Sequence, residues 1–288
     1  MPASLHLSNL AASFGDRPLF AGLDLVVGPG DVAAVVGPNG AGKTTLMRII
    51  AGLHPADAGS VRLAPPDASV GFLPQSTPAT DESLLDYVRR RTGVAEATTA
   101  MEAAAAALPA DPGSRAATAR YGRTLDRWLA LGGADLEDRL PALANDAGLG
   151  VPLDRPLRSL SGGQAARASL ISVLASQYDL LLLDEPTNDL DDAGLALMTA
   201  FVRSHASPVL IASHDRAFLD DVATQVLELD LHQQRIGHYA GGWTAYREAR
   251  ALDRAHAWER WEANAERRSA LEAQVRRQAG WAAKGRAA

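Results

Sequence analysis

The chain has 288 residues, 47% hydrophobic and 22% charged, which is enough apolar material for a sizeable core in one or two domains. It contains no cysteine, which excludes disulfides and thiolate metal sites. The N-terminus lacks a basic segment followed by an apolar core, and runs such as Leu180–Leu183 fall far short of the ~20 residues of a membrane span, so a cytoplasmic chain with no membrane insertion is expected.

In chain order, Leu5–Leu10 alternates apolar and polar residues and reads as a strand, with further strands at 22–27 and 31–37. An apolar strand, a glycine-rich loop and a helix follow over 35–53, then two short strands at 61–64 and 69–75. From Ser83 to Gly148 the pattern turns helical and alanine-rich. A second strong helix starts at Gly162, and Leu180–Asp184 reads as a buried parallel strand with acids at its C-terminal end. Helix, strand and short helix alternate to Val222, two strands follow, and everything from Trp243 onward reads as one or two long helices. Strands alternating with helices on both sides of an all-helical insert predict an α/β fold with a mostly parallel sheet and an α-helical subdomain.

Charge divides the chain near Arg247. Residues 247–288 hold ten Arg or Lys against six Asp or Glu; the preceding residues hold 18 basic and 28 acidic side chains. Only two lysines stand among the 28 basic residues, Lys43 and Lys284. A lysine kept against that bias points to a position needing a compact ammonium.

Lys43 stands in Gly37-Pro38-Asn39-Gly40-Ala41-Gly42-Lys43-Thr44, which fits G-x-x-x-x-G-K-[ST] without mismatch, between a strand and a helix. Such a loop turns backbone N–H groups toward phosphate at the positive end of the helix. Lys43 would reach the terminal phosphates, and the Thr44 hydroxyl would serve Mg²⁺. Asp184 ends the four-leucine strand and is placed to hold Mg²⁺, and Glu185 beside it could polarise an attacking water. Leu160-Ser161-Gly162-Gly163-Gln164 precedes that strand. By itself the stretch reads better as a capped helix start, although Ser161 and the glycine amides also suit a γ-phosphate.

The order and spacing of these motifs resemble the ATP-binding cassette family. The resemblance implies that ATP and Mg²⁺ are held by Phe14 against adenine, by residues 37–45 including Thr45, by Gln75 and by Asp184. It implies catalytic roles for Glu185, for His214 as a γ-phosphate sensor and for Gln75, and a role for Leu160–Gln164 on ATP held by a partner cassette. The family more often has Tyr where this chain has Phe14; a phenyl ring keeps the stacking face. Asp184–Asp191 (DEPTNDLD), Ser213–Asp220 (SHDRAFLD) and Gly237–Tyr246 (GHYAGGWTAY) resemble the ABC-F group, cytoplasmic ATPases that act on ribosomes.

The expected organisation is a cassette over 1–242, with an antiparallel β subdomain and a helical subdomain at about 76–175. A basic helical linker would occupy 243–288. ABC-F proteins have two cassettes, so this chain is expected to be a first half ending inside the linker. Its partners would be a second cassette (the missing half, or another copy of this chain) and the ribosome's rRNA or tRNA, with weak hydrolysis when alone. Residues 95–159 hold seven Arg and nine Asp or Glu, so the basic arm of some ABC-F members is not expected. On the linker, Trp258, Trp261, Arg267, Arg268, Arg276, Arg277 and Lys284 could meet RNA, although for Trp243 and Trp258 packing on protein is the preferred reading. The competing reading is the ATPase subunit of an ABC membrane transporter, which the charged tail and the Asn188-Asp189 pair disfavour.

Overall fold

A computed structural model of the chain describes residues 3–74, 79–108, 113–230 and 235–284. These form two units, divided between Trp243 and Thr244. The first begins with a three-stranded antiparallel sheet in the order β2-β1-β4, from β1 (Ser4–Phe14), β2 (Arg17–Val27) and β4 (Ala58–Ala64). Alternate residues Leu5, Leu7, Leu23, Leu25 and Val27 are buried, as the two-residue period of a one-faced sheet requires. The hairpin is longer than the sequence pattern predicts. Register shifts along β1 and a left-handed Asn9 (φ 47°) interrupt the alternation, so the strand continues past Leu10 to Phe14.

The second sheet has six strands in the order β5-β6-β7-β3-β8-β9. Strands β3 (Val32–Val36), β5 (Val70–Leu73), β6 (Leu180–Asp184), β7 (Val209–Ala212) and β8 (Gln225–Asp230) run parallel, and β9 (Arg235–Ala240) pairs antiparallel with β8. Every residue of β3, β6 and β7 is buried, which accounts for their apolar sequences, broken only by Asp184 at the end of β6. Helix α1 (Lys43–Ile50) buries Leu46, Met47, Ile49 and Ile50 in the same core. Between β5 and β6 lies the helical insert: α2 (Leu84–Arg91), α3 (Val94–Ala107), α4 (Arg115–Ala130), α5 (Leu136–Asp146) and α6 (Gly162–Leu174). Helices α7 (Asp192–Ser204) and α8 (Arg216–Val222) complete the alternation with strands.

Tyr178 fastens the insert to the sheet. Its ring covers Gly71 on β5 so closely that a Cβ there would lie 2.1 Å from it. A Cβ at Gly93 would lie 2.6 Å from the phenol oxygen. The hydroxyl donates to the Arg91 carbonyl at 3.2 Å, and burial pushes the phenol pKa up to about 12.

The second unit, from Thr244, lies within helix α9 (Trp243–Lys284), which has 42 residues and is roughly 60 Å long. Leu252, Trp258, Trp261 and Leu271 are exposed on it. The Trp258 and Trp261 rings sit 5.3 Å apart, and the Trp258 indole N–H donates to Glu262 at 2.7 Å. Among the described residues no helix is long and apolar enough to cross a membrane.

Gly71→Ala should lower unfolding stability by about 1–3 kcal/mol, because the new methyl overpacks the Tyr178 ring. Urea denaturation of the double variant Gly71→Ala/Tyr178→Leu should recover part of the loss. Strict additivity of the two single effects would contradict the wedge.

Candidate functional site

Three neighbouring strands of the parallel sheet end side by side. Ala212 of β7 pairs with Val35 of β3 on one side and with Asp184 of β6 on the other. The loops leaving these C-terminal ends carry the glycine-rich segment, Glu185 and His214, the place where open parallel sheets bind ligands.

The glycine-rich loop leaves β3 through Gly37, where a Cβ would meet the Leu229 carbonyl at 2.5 Å. Gly42 caps α1 with φ 96°, a left-handed value that would strain any residue with a side chain. The N-terminus of α1 thereby faces a cavity of about 640 Å³. Asn39, Gly40, Ala41, Gly42, Lys43, Thr44 and Thr45 line it, together with Asp184, Glu185 and His214. Gly37 and Pro38 do not line it; their carbonyls accept from the Lys43 ammonium at 3.0 and 3.5 Å. Phe14 is at the rim and 78% exposed, so it is not a core aromatic.

Thr44 Oγ1 donates to Asp184 Oδ2 at 2.7 Å, which brings a hydroxyl and a carboxylate oxygen together at the helix start. Among the described residues no group of three or more His, Asp or Glu forms a metal cage. A hydroxyl and one carboxylate beside a phosphate loop suit Mg²⁺, which keeps waters and takes few protein ligands. Gln75 lies outside the described residues; it follows Pro74 at the end of β5.

Glu185 is 7% exposed and has a left-handed backbone (φ 52°), costly for a residue other than glycine. Its N–H donates to the Ala212 carbonyl at 2.7 Å. One carboxylate oxygen accepts from the His214 backbone N–H at 3.2 Å, and the other is 3.1 Å from the His214 ring. Burial raises the Glu185 pKa above its ordinary value of 4.5, against the opposing pull of His214 and Lys43. The carboxyl is therefore poised to take a proton, as a group that activates water must.

Leu160–Gln164 stands apart from this cavity. Ser161 caps α6 in a capping box: its hydroxyl oxygen accepts from the Gln164 N–H at 3.3 Å, and the Gln164 side chain accepts from the Ser161 N–H at 3.0 Å. Gly162 lines a second cavity behind Asp184 and Glu185. Arg167 on α6 donates to Asp191 at 2.6 Å and to the Gly148 carbonyl at 2.7 Å, so α6 is tied to the N-cap of α7. Sequence reasoning did not select Arg17, Leu19 or Asn188, all of which line the first cavity. Arg17 and Leu19 become readable only once the β1–β2 hairpin is known to fold them over the loop.

The sheet order, the helix start and the Glu185–His214 pair define a P-loop nucleotide cassette. The ABC transporter family matches residues 20–188, and a second match with the same description spans 229–288. The chain belongs to the ABC transporter family. It is 36% identical over 285 residues to the tylosin resistance ATP-binding protein TlrC of Streptomyces fradiae, covering 96% of this chain and 52% of TlrC. It is 35% identical over 246 residues to the energy-dependent translational throttle protein EttA of Mycobacterium tuberculosis, covering 85% of this chain and 43% of EttA. It is 34% identical over 251 residues to human ATP-binding cassette sub-family F member 3, covering 84% of this chain and 33% of that protein. The chain thus spans about half, or less, of the length of these curated relatives. Among solved structures, an ATP-binding subunit of an ABC transporter superposes with a TM-score of 0.62 over 82% of this chain and 89% of its own. At 18% identity that likeness shows the fold alone.

Folding favours the protonated Glu185 carboxyl, so its contribution to stability is full below pH 4.5 and is lost as pH rises through the raised folded value. Glu185→Gln, a neutral mimic, should therefore raise the melting temperature at pH 7, and the gain should vanish below pH 4.5. An equal gain at both pH values would contradict the raised pKa. Phe14→Ala should weaken binding of a fluorescent ATP analogue roughly tenfold, with little change in melting temperature.

Proposed function

We propose that the chain is the ATP-binding and ATP-hydrolysing cassette of an ABC-F type protein that acts on the ribosome in the cytoplasm. Glu185 carries the reading: a buried carboxyl with a raised pKa, hydrogen-bonded to His214 at the mouth of a phosphate loop. The loop amides and Lys43 bind the β- and γ-phosphates of ATP, and Phe14 stacks on its adenine. Thr44, Asp184 and Gln75 would hold Mg²⁺, which would neutralise charge on the phosphate oxygens. Glu185 orients a water against the γ-phosphorus and accepts one of its protons. The water oxygen bonds to phosphorus, the bond to the bridging oxygen breaks, and that oxygen leaves with ADP. His214 holds the Glu185 carboxylate and touches the γ-phosphate.

In the same reading, Leu160–Gln164 serves ATP held by a second cassette, and closure of the pair governs turnover. Three observations support a ribosomal target. They are the ABC-F motifs between Asp184 and Tyr246, the relatives named for translational throttling and tylosin resistance, and the net positive charge of residues 247–288. Helix α9 presents Trp258, Trp261, Arg267 and Arg268 for stacking on RNA or neutralising its phosphates. The chain alone is expected to turn over ATP slowly.

Glu185→Gln should reduce hydrolysis at least about a hundredfold while ATP affinity stays within a few-fold of wild type. The same variant should sediment with 70S-type ribosomes only when ATP is present, and the bound fraction should fall as salt rises. Wild-type hydrolysis by Glu185→Gln would refute the catalytic role. Equal sedimentation with and without ATP would refute nucleotide-controlled ribosome binding.

A further inference from the structure

The helical insert carries a charge pattern that its composition conceals. Residues 95–159 hold seven arginines against nine acids, a near balance by count. In space the two are segregated. Asp135, Glu137, Asp138 and Asp146 are on α5 or its N-cap. Arg139 and Arg158 each meet a carboxylate within 3.1 Å, and Arg155 donates to the Ser159 hydroxyl at 3.0 Å. The other four arginines, Arg115, Arg120, Arg123 and Arg127, all stand on α4, where Asp126 is the one acid. All four are exposed, and their guanidinium groups make no hydrogen bond or ion pair among the described residues.

Helix geometry gathers three of them. Arg120, Arg123 and Arg127 are spaced by three and four residues, which puts them on one face, about 10 Å from first to last along the axis. A different face is turned inward: Tyr121, Leu125 and Trp128 are half-buried, and the Trp128 indole N–H donates to Thr98 of α3 at 2.9 Å. Like charges three and four residues apart repel, so the stability of the fold does not account for the arginine face. Residues 1–246 hold 18 basic and 28 acidic side chains, so this face is positive against a negative background. A polyanion would meet it with complementary charge.

We propose that the arginine face of α4 is an RNA-docking surface that holds backbone phosphates without reading sequence. The planar guanidinium fork matches a pair of phosphate oxygens, and no aromatic ring shares the face for stacking on bases. A membrane surface would need a free apolar face beside the charges, and of the large apolar side chains of α4 only Leu129 is exposed. The proposal rests on the ribosome reading only for the source of the RNA. It gives the first unit a contact of its own, additional to those offered by α9.

The test measures binding of the full chain to two fluorescein-labelled RNA hairpins of unrelated sequence across a salt series. Wild type should bind both alike. Arg120→Gln/Arg123→Gln/Arg127→Gln should weaken both by the same factor, roughly tenfold or more at low salt, and should reduce the slope of log affinity against log salt by about 2. Its ATP affinity and melting temperature should not change. If that variant does not fold, Arg120→Gln/Arg127→Gln takes its place, with a smaller change of slope. The three lysine substitutions at the same positions keep the charge and should keep the slope. Arg48→Gln/Arg62→Gln/Arg203→Gln removes three exposed arginines elsewhere in the first unit and should leave the slope as it is. An unchanged slope in the α4 variant, an equal fall in this control, or no binding of either hairpin by wild type would overturn the proposal. So would a loss seen with polyglutamate or phosphatidylserine vesicles but not with the hairpins, which would assign the face to an acidic protein or a membrane. Ribosome sedimentation keeps the two readings apart. ATP-dependent sedimentation of Glu185→Gln with an unchanged hairpin slope would sink only the α4 surface, whereas the expected slope change without sedimentation would sink only the ribosomal target.

Discussion

Ala212 is hydrogen-bonded into the sheet on both sides, and the site depends on that register. Its pairing with Val35 and with Asp184 holds three strand ends level. The phosphate loop, the acidic pair and His214 then emerge within reach of one another. A one-residue slip of β6 would turn Asp184 to the other face of the sheet and break its bond to Thr44. The apolar runs of β3, β6 and β7 have a further consequence: both faces of the sheet are covered, so the polar groups, Asp184 at the end of β6 among them, concentrate at one end.

At that end the structure accepts unfavourable local energetics. Glu185 combines a left-handed backbone with a buried carboxyl, each destabilising by itself. The surroundings over-determine it: the Ala212 carbonyl fixes its amide, and His214 bonds both carboxylate oxygens. The raised pKa is the electrostatic trace of this arrangement. Behind it, Arg91 repeats the pattern with the opposite sign.

The parallel sheet, the helical insert and the loop at 37–45 were legible in the sequence, because each rests on local pattern: apolar runs, helical period and a fixed motif spacing. The hairpin past Leu10 was not. Bulges at Asn9 and beyond shift the inward-facing residues, and a two-residue period cannot be followed through them. Arg17 and Leu19 were missed for that reason. The rear cavity was illegible for another: its walls come from β5, α2, α6 and the loop after β6, which span more than a hundred residues of chain. The single helix at 243–284 settles a point the sequence left open between one helix and two.

The capping box at Ser161 has a consequence for recognition. The serine oxygen is engaged as an acceptor, its hydroxyl proton meets no acceptor among the described residues, and the glycine amides of the first turn point outward from the helix start. The donors are thus fixed in position before any anion arrives. A ligand meeting this face would lose little free energy to ordering the protein, and most of the selectivity would reside in how well the anion's oxygens match a preset array.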